Sequence, residues 1–588
     1  MAALPPIPGP AQVRELREVA LGRRPAQVVI RGARVVNVFS GEVQPPQAVA
    51  LYGGRVASLG PELPAWVDEE TRVVQAQGLF LMPGLIDAHT HLDAGYSPGE
   101  FSARALAGGN TSVVTECAMI AGAAGARGVA AFLADAQAQP MRWFFLAPPL
   151  VPPFPQLEGS AGLGLEEFRR LLEDPCCRGC GEVYWTSLLD SVEGIDQRLA
   201  ATLAAGKQVE GHSAGARGER LAAYAAAGVG SCHESTTAGE ALERLRLGFA
   251  VQVRQGMVRQ EMDQVVPALA GLDDTSQVML VSDSASLEQL MDQGPLLPLL
   301  IRAVELGVAP ARAVAWLSLN PARHFGLTGL GAVAPGWVAD LVLVEDLNRF
   351  RVRSVFLEGK EVVRQGRLLV ETPPPRHLAG LGPCLHCRPL TAEALQIPAP
   401  ARRVAVRVVE LANHTITREG RAELDCPGGF VPSDPGRDLL KLMHLNRQSP
   451  QARPALGLVR GFGLRHGAVA TTLQWDNCNL VALGAGDREI CLAANRVLEL
   501  GGGVVVAAGD EVLAEMPLPL AGIFSSLPME ELAARERELA GALAGLGCGL
   551  ENPLLALQTL CFTGLPFLRL TDRGLVDMRR RRELELFL

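Results

Sequence analysis

A buried strand that runs directly into two histidines constrains this chain more than any other feature. In Leu81-Met-Pro-Gly-Leu-Ile-Asp-Ala-His-Thr-His-Leu92, the apolar residues Leu85, Ile86 and Ala88 give the character of a strand covered on both faces. Residues two apart in an extended strand point to the same side, so His89 and His91 can share one metal ion. The bland alternative, histidines with satisfied hydrogen bonds in a core or at a surface, suits a lone histidine better than this pair.

From residue 81 onward, apolar runs alternate with helical stretches, the pattern of a parallel sheet with crossover helices. The candidate strands are 81-88, 112-115, 142-147, 181-185, 208-212, 229-233, 249-254 and 278-282. Eight strands close a (β/α)8 barrel, whereas an open doubly wound sheet would need a glycine-rich phosphate loop after its first strand, and none is present. The α/β barrel is therefore expected over residues 81-328. Short strands around 28-30, 35-38 and 48-51, with a hairpin turn at Gly53-Gly54-Arg55, precede it, and residues 331-365 return to the same pattern. Segments 1-80 and 329-370 are thus expected to form one composite β domain. The Pro-punctuated stretch 371-403 reads as a linker, and 404-588 as a separate C-terminal α/β domain.

A chain of 588 residues is too long for one compact core. Its net charge of -9 excludes a general nucleic-acid binder, which needs a basic face, and points to a small-molecule substrate. No run approaches the length of a membrane span, and the first 25 residues lack a continuous apolar segment, so no membrane association and a cytoplasmic location are expected. Twelve cysteines fit reduced thiols or ligands in a reducing compartment. Two pairs, Cys177/Cys180 and Cys384/Cys387, have the spacing of structural zinc sites. With Cys177 and Cys180 placed before the fourth strand, a second zinc between barrel and linker is one expectation, weighed against free thiols. Arg579 to Arg582 read as a solvated face. Homo-oligomerisation is left open.

Barrel enzymes carry their chemistry at the C-terminal ends of the strands. Here those ends hold His89 and His91 on the first strand, Glu182 on the fourth, His212 on the fifth, His233 on the sixth and Asp283 on the eighth. Four imidazoles and two carboxylates suit one or two divalent ions of the zinc, manganese or iron type, with Glu182 able to bridge a pair. An unpaired carboxylate ending a buried strand is costly, so Asp283 is better read as a ligand and proton carrier. A metal lowers the pKa of bound water toward neutrality, and Asp283 can move a proton from that water to a leaving nitrogen. Hydrolysis of a C-N bond is the implied reaction class.

These residues resemble the amidohydrolase superfamily, and the remainder narrows the resemblance to the adenine deaminase family. Gly211-His-Ser-Ala-Gly and Gly228-Val-Gly-Ser-Cys-His-Glu are similar to its fifth and sixth strand regions, and Leu319-Asn-Pro-Ala-Arg-His-Phe-Gly-Leu to its barrel exit. Val459-Arg-Gly-Phe-Gly-Leu, Gly501-Gly-Gly-Val-Val-Val and Leu570-Thr-Asp-Arg-Gly-Leu-Val-Asp-Met resemble its C-terminal domain, which most amidohydrolases lack. The resemblance implies deamination of adenine to hypoxanthine and ammonia with a divalent metal, manganese foremost and iron or zinc as alternatives. It also implies that His89, His91, Glu182, His212, His233 and Asp283 are the metal and catalytic residues.

The chain departs from that pattern at Glu116-Cys117-Ala118-Met119, where Asp-Pro-His-Glu is usual, and at Ser284-Ala285-Ser286, where a second acid and Arg-His usually follow Asp283. Trp475-Asp476-Asn477-Cys478 stands in place of His-Asp-Ser-His. Two readings accommodate this: a deaminase with altered pocket chemistry, acting on adenine or another purine-like ring, or a metal-binding scaffold with little catalysis. Retention of Asp283 favours the first. The cytidine-type zinc deaminases are excluded, because Pro383-Cys-Leu-His-Cys387 has no His-x-Glu partner anywhere in the chain.

Overall fold

The computed structural model describes residues 7–588, so the first six residues of the expected segment 1-80 lie outside it. Eight parallel strands form its centre: β1 (Leu85–Thr90), β2 (Asn110–Thr115), β3 (Arg142–Ala147), β4 (Cys177–Tyr184), β5 (Gln208–His212), β6 (Ser231–Cys232), β7 (Ala250–Arg254) and β8 (Val278–Val281). They run as a five-stranded sheet, β5-β4-β3-β2-β1, and a three-stranded sheet, β6-β7-β8. At one junction the Asp283 amide donates to the His89 carbonyl at 3.1 Å, and at the other the Gly230 amide donates to Val209 at 2.9 Å. Ser282 reinforces the first junction by donating its hydroxyl to Asp87 at 2.6 Å. Almost every residue of these strands is buried, the consequence of helices covering their outer face.

The first of these strands starts later than the expected 81-88. Residues Phe80–Pro83 form a separate strand that pairs antiparallel with Leu341–Val344, and only after Gly84 does the chain enter β1. A Cβ on Gly84 would lie 2.2 Å from the Thr111 hydroxyl, so a side chain is excluded where one sheet hands over to the other. That pairing joins strands from residues 28–83 and 341–368 in one nine-stranded sheet.

A third unit carries an eight-stranded sheet over residues 403–517, with helices Asp487–Glu499 and Met529–Gly545 and a three-stranded sheet near the C-terminus. The Pro-rich stretch before it is docked on the parallel-stranded unit: Asp135 accepts from the His377 and Leu378 amides at 3.0 and 2.9 Å, and Gln139 donates to Pro373 at 3.0 Å. Both residues belong to or follow helix α1 (Ala118–Gln137). This helix is long and apolar enough to cross a bilayer by composition, but most of it is packed inside the protein.

Of the two readings weighed for the cysteine pairs, the structure favours free thiols over a shared zinc. Cys177 and Cys180 do not precede the fourth strand but lie within β4, buried in the barrel core. Cys387 packs with Leu390 and Ala392 against a core of the C-terminal unit, and the Cys384 carbonyl accepts from Arg447. Among the described residues, neither pair joins a cluster able to hold a metal.

Candidate functional site

The six residues singled out at the strand ends meet in one buried cluster. Glu182 projects from β4 into its middle, with Oε1 at 3.1 Å from His89 Nε2, 3.2 Å from His91 Nε2 and 3.2 Å from His233 Nε2. Its other oxygen lies 3.4 Å from His212 Nδ1. Asp283 Oδ1 closes the group at 3.3 Å from His89 and 3.4 Å from His91. The imidazoles of His89 and His233 stack at 4.1 Å, while that of His91 stands edge-on to His89 at 5.3 Å.

Local backbone explains how Asp283 is aimed. It follows β8 in the left-handed region, at φ 50°, and Ser284 continues at φ 105°. Non-glycine residues rarely adopt such angles, and their strain is sustained where the surrounding structure fixes a functional geometry. Here the anchor is the pairing of the Asp283 amide with His89, so strand pairing and carboxylate placement are one feature.

The electrostatics favour a cation. Burial opposes charge on Glu182, Asp283, His89 and His212, yet their mutual attraction wins: Glu182 and Asp283 are held well below the usual carboxylate range, and His89 and His212 are raised to about 10 and about 9. Both ring nitrogens of His89 and of His212 are buried without a hydrogen-bond partner, as is Nδ1 of His91. Buried polar atoms left this way are rare in proteins, and a ring of imidazole nitrogens and carboxylate oxygens is a donor set for a divalent metal. Two overlapping groups have the spacing to hold an ion: His89, Glu182, His233 and Asp283, and His212, His233 and Glu234. The residues fit the implied metal.

Several functional neighbours escaped the sequence reading. Glu234 follows His233 and faces it at 3.4 Å, and its acidity is strengthened, against its burial, by the charge of Arg254. Arg254, at the end of β7, contacts Glu234, donates to Asp283 Oδ2 at 3.1 Å and pairs with Glu261 at 3.0 Å. Glu116, at the end of β2, has both oxygens buried and unpartnered, 3.7 Å from His89 Nδ1; burial and the nearby Glu182 charge push it up to about 8. The signal was available, since all three are charged residues at ends of buried strands, the same argument that singled out Asp283.

The C-terminal unit roofs the cluster. Trp475 stands edge-on to His91 at 5.1 Å, and Phe562 lies 5.9 Å from Tyr184. The loop bearing Trp475 is pinned by the Tyr184 hydroxyl donating to Asp476 at 2.8 Å and by Asn477 donating to Glu158 at 2.9 Å. It also rests on Gly122 of α1, where a Cβ would come within 1.7 Å of the Asp476 carbonyl oxygen.

Two cavities share His91 and Trp475. One, of about 60 Å³, is lined by Glu182, His212, Asp283, Tyr184 and Phe562. The other, of about 120 Å³, gathers Met119, Ser284, Ala285 and Trp475, all among the positions that depart from the resembled pattern. Of the other departing positions, Cys478 is buried behind Trp475, donating to the Gln474 carbonyl, and Ala118 begins α1.

Residues 80–362 match the amidohydrolase family, and residues 414–582 match the adenine deaminase C-terminal domain. The chain is 38% identical over 574 residues to an adenine deaminase of Moorella thermoacetica, a match covering 96% of both chains. It is 35% identical to an adenine deaminase of Archaeoglobus fulgidus, over 98% of both chains, and 33% identical to one of Methanothrix thermoacetophila, over 98% of this chain and 100% of the relative. Likeness at this level across barrel, composite sheet and roof places the whole architecture in one lineage, and the chain belongs to the adenine deaminase family.

Proposed function

We propose that this protein hydrolyses adenine to hypoxanthine and ammonia, using a divalent ion of the manganese type, iron or zinc being the alternatives, held by His89, His91, Glu182, His212, His233 and Asp283. The two parallel sheets are read as one (β/α)8 barrel with the centre at its mouth. The observation that carries the proposal is the gathering of those six side chains around Glu182 and Asp283, on a chain alike over its length to relatives named adenine deaminase.

When bound by these residues, a divalent ion would lower the pKa of a coordinated water toward neutrality. Asp283, its Oδ1 directed at the cluster, would accept a proton from the attacking water and return one to the departing nitrogen. Ionised Glu182 fixes the four imidazoles around it. Arg254 holds the far oxygen of Asp283, leaving Oδ1 directed at the centre. Tyr184, Phe562 and Trp475 offer aromatic faces for a planar base and keep bulk water out.

The test is to express the chain with manganese and measure ammonia release from adenine. Turnover that disappears in Asp283→Asn while bound metal is retained supports the proposal. Fully metallated protein inert on adenine overturns it and leaves the scaffold reading.

A further inference from the structure

The arginine run 579–582 is only partly a solvated face. Arg579 and Arg581 border a cleft of about 760 Å³, within the range of about 300–1,000 Å³ typical of small-molecule sites. One side of the cleft is the short helix Trp185–Leu189 that follows β4, with Arg220 of helix Gly218–Ala226 beside it. The other is the C-terminal segment around Phe567. Nothing in the proposed reaction uses this space.

Positive charge and flat aromatic surface coincide in it. The Arg220 guanidinium lies 5.7 Å from the Trp185 ring centroid, that of Arg579 5.5 Å from Phe567 and that of Arg581 5.6 Å from Phe154. Asp190, the acid in this lining, is paired with Arg581. Among the described residues, the Arg220 and Arg579 guanidinium groups stand in no ion pair, on a chain whose net charge is -9. A guanidinium resting on an aromatic face keeps its edge free for paired N–H donation to a phosphate. Two unpaired arginines match the charge of a phosphate monoester, about -2 near neutral pH. Phe567 and Arg581 both sit in the left-handed region, at φ 75° and 50°. Two such residues at one cleft mean that the surroundings hold a ring and a guanidinium there against local preference.

The cleft is also graded from its mouth inward. Arg220 and Arg579 are exposed, whereas Tyr184 and His212 at the inner end are buried. Tyr184, His212 and Leu565 line the smaller cavity at the buried cluster as well, so the two spaces share a wall. A ligand with a flat apolar end and an anionic end therefore enters flat end first and leaves its anion at the arginines.

We infer that this cleft binds a nucleoside monophosphate, with its base inward against Tyr184 and its phosphate at Arg220 and Arg579. The volume accommodates base, sugar and phosphate together. The nucleotide stays on the outer side of the wall formed by Tyr184 and His212, where it is bound and not deaminated. The site lies outside the buried cluster, so the inference goes beyond the deaminase reading and does not depend on it.

The experiment is titration calorimetry on the metal-loaded full chain with AMP, adenosine and inorganic phosphate. AMP is expected to bind at least about tenfold more tightly than either of the others, since it alone reaches both ends of the cleft, and to weaken as salt is raised. The double variant Arg220→Gln with Arg579→Gln alters two exposed side chains outside the proposed catalytic machinery. It is expected to weaken AMP about tenfold or more and to leave adenosine unchanged. AMP binding no tighter than adenosine overturns the inference, because the arginines then hold no phosphate. Inorganic phosphate binding as tightly as AMP also overturns it, because the base then contributes nothing. AMP binding undiminished in the double variant overturns it by placing the nucleotide elsewhere, at the metal centre included. Conversion of AMP to IMP and ammonia overturns it too, because the base then passes the wall. An absence of ammonia release from adenine would bring down the deaminase reading and leave each of these binding comparisons as decisive as before.

Discussion

Arg254 Nη1 lies 3.1 Å from Asp283 Oδ2, the oxygen turned away from His89 and His91. The guanidinium is fully buried and shared among Asp283, Glu234 and Glu261, so it neutralises acids that would otherwise repel one another across the centre. Replacing Arg254 with Lys keeps the charge but loses the planar fork that reaches several carboxylates at once. Arg254→Lys is expected to lower kcat by about 10- to 100-fold with metal content preserved, the usual cost of disturbing a partner that orients a metal-site ligand. Parallel ammonia-release kinetics and elemental analysis check it. Unchanged kcat would show that strand pairing alone orients Asp283.

Gly122 offers a test of the roof. Any side chain there collides with the Asp476 carbonyl, so Gly122→Ala must push the Trp475 loop away from His91. The expected result is a raised KM and a weakened quench of tryptophan fluorescence on ligand binding, with metal affinity unaltered. A crystal structure of the variant with the loop in place would refute the steric argument.

The same contact region carries a pH dependence. Glu158, on the barrel side, is buried and pushed up to about 8, chiefly by burial, and accepts from Asn477 and Thr563 of the C-terminal unit. A carboxyl whose folded pKa is raised contributes stability that is fully present below the unfolded value, near 4.5, and is lost as pH rises through the folded one. Its contribution to unfolding free energy should therefore shrink between about pH 4.5 and 8 and level off above. Glu158→Gln should flatten that part of the profile in denaturant titrations run across the range; an unchanged slope would assign the dependence elsewhere.

Metal binding should be visible without turnover. The buried imidazole nitrogens of His89 and His212 lack hydrogen-bond partners, so an ion that satisfies them binds the folded state alone. At a hundredfold excess over Kd, manganese should stabilise by about 2.7 kcal/mol, read as a raised Tm, and chelation should reverse it. In His91→Ala the manganese-dependent rise should diminish. A Tm indifferent to metal in the unmodified protein would contradict the donor set.

That these six side chains would meet was legible in the sequence because the information is local. The period of a strand puts His89 beside His91, and a charged residue that ends a buried strand must find a partner, which marks Glu182 and Asp283. The same rule applied evenly would have marked Glu116 and Arg254. The handover from Pro83 to Leu85 was hidden within one apolar run, since two strands of different sheets separated by one glycine look continuous. The cysteine pairs were left between zinc and free thiols because spacing alone does not tell a ligand pair from core packing inside β4. The placement of Trp475 against His91 could not be read, since it depends on the packing of units 384 residues apart in sequence.

That packing has a consequence for how such a protein can change over generations. A chain ending after residue 370 would keep every residue of the buried cluster and still lack Trp475 and Phe562, which wall the two cavities. The region after the linker is therefore no exchangeable module. A larger residue at 122, or a different one at 158, alters the seating of a loop encoded more than three hundred residues later, so novelty in what the enzyme accepts can arise from substitutions far from the metal, provided barrel and roof shift together.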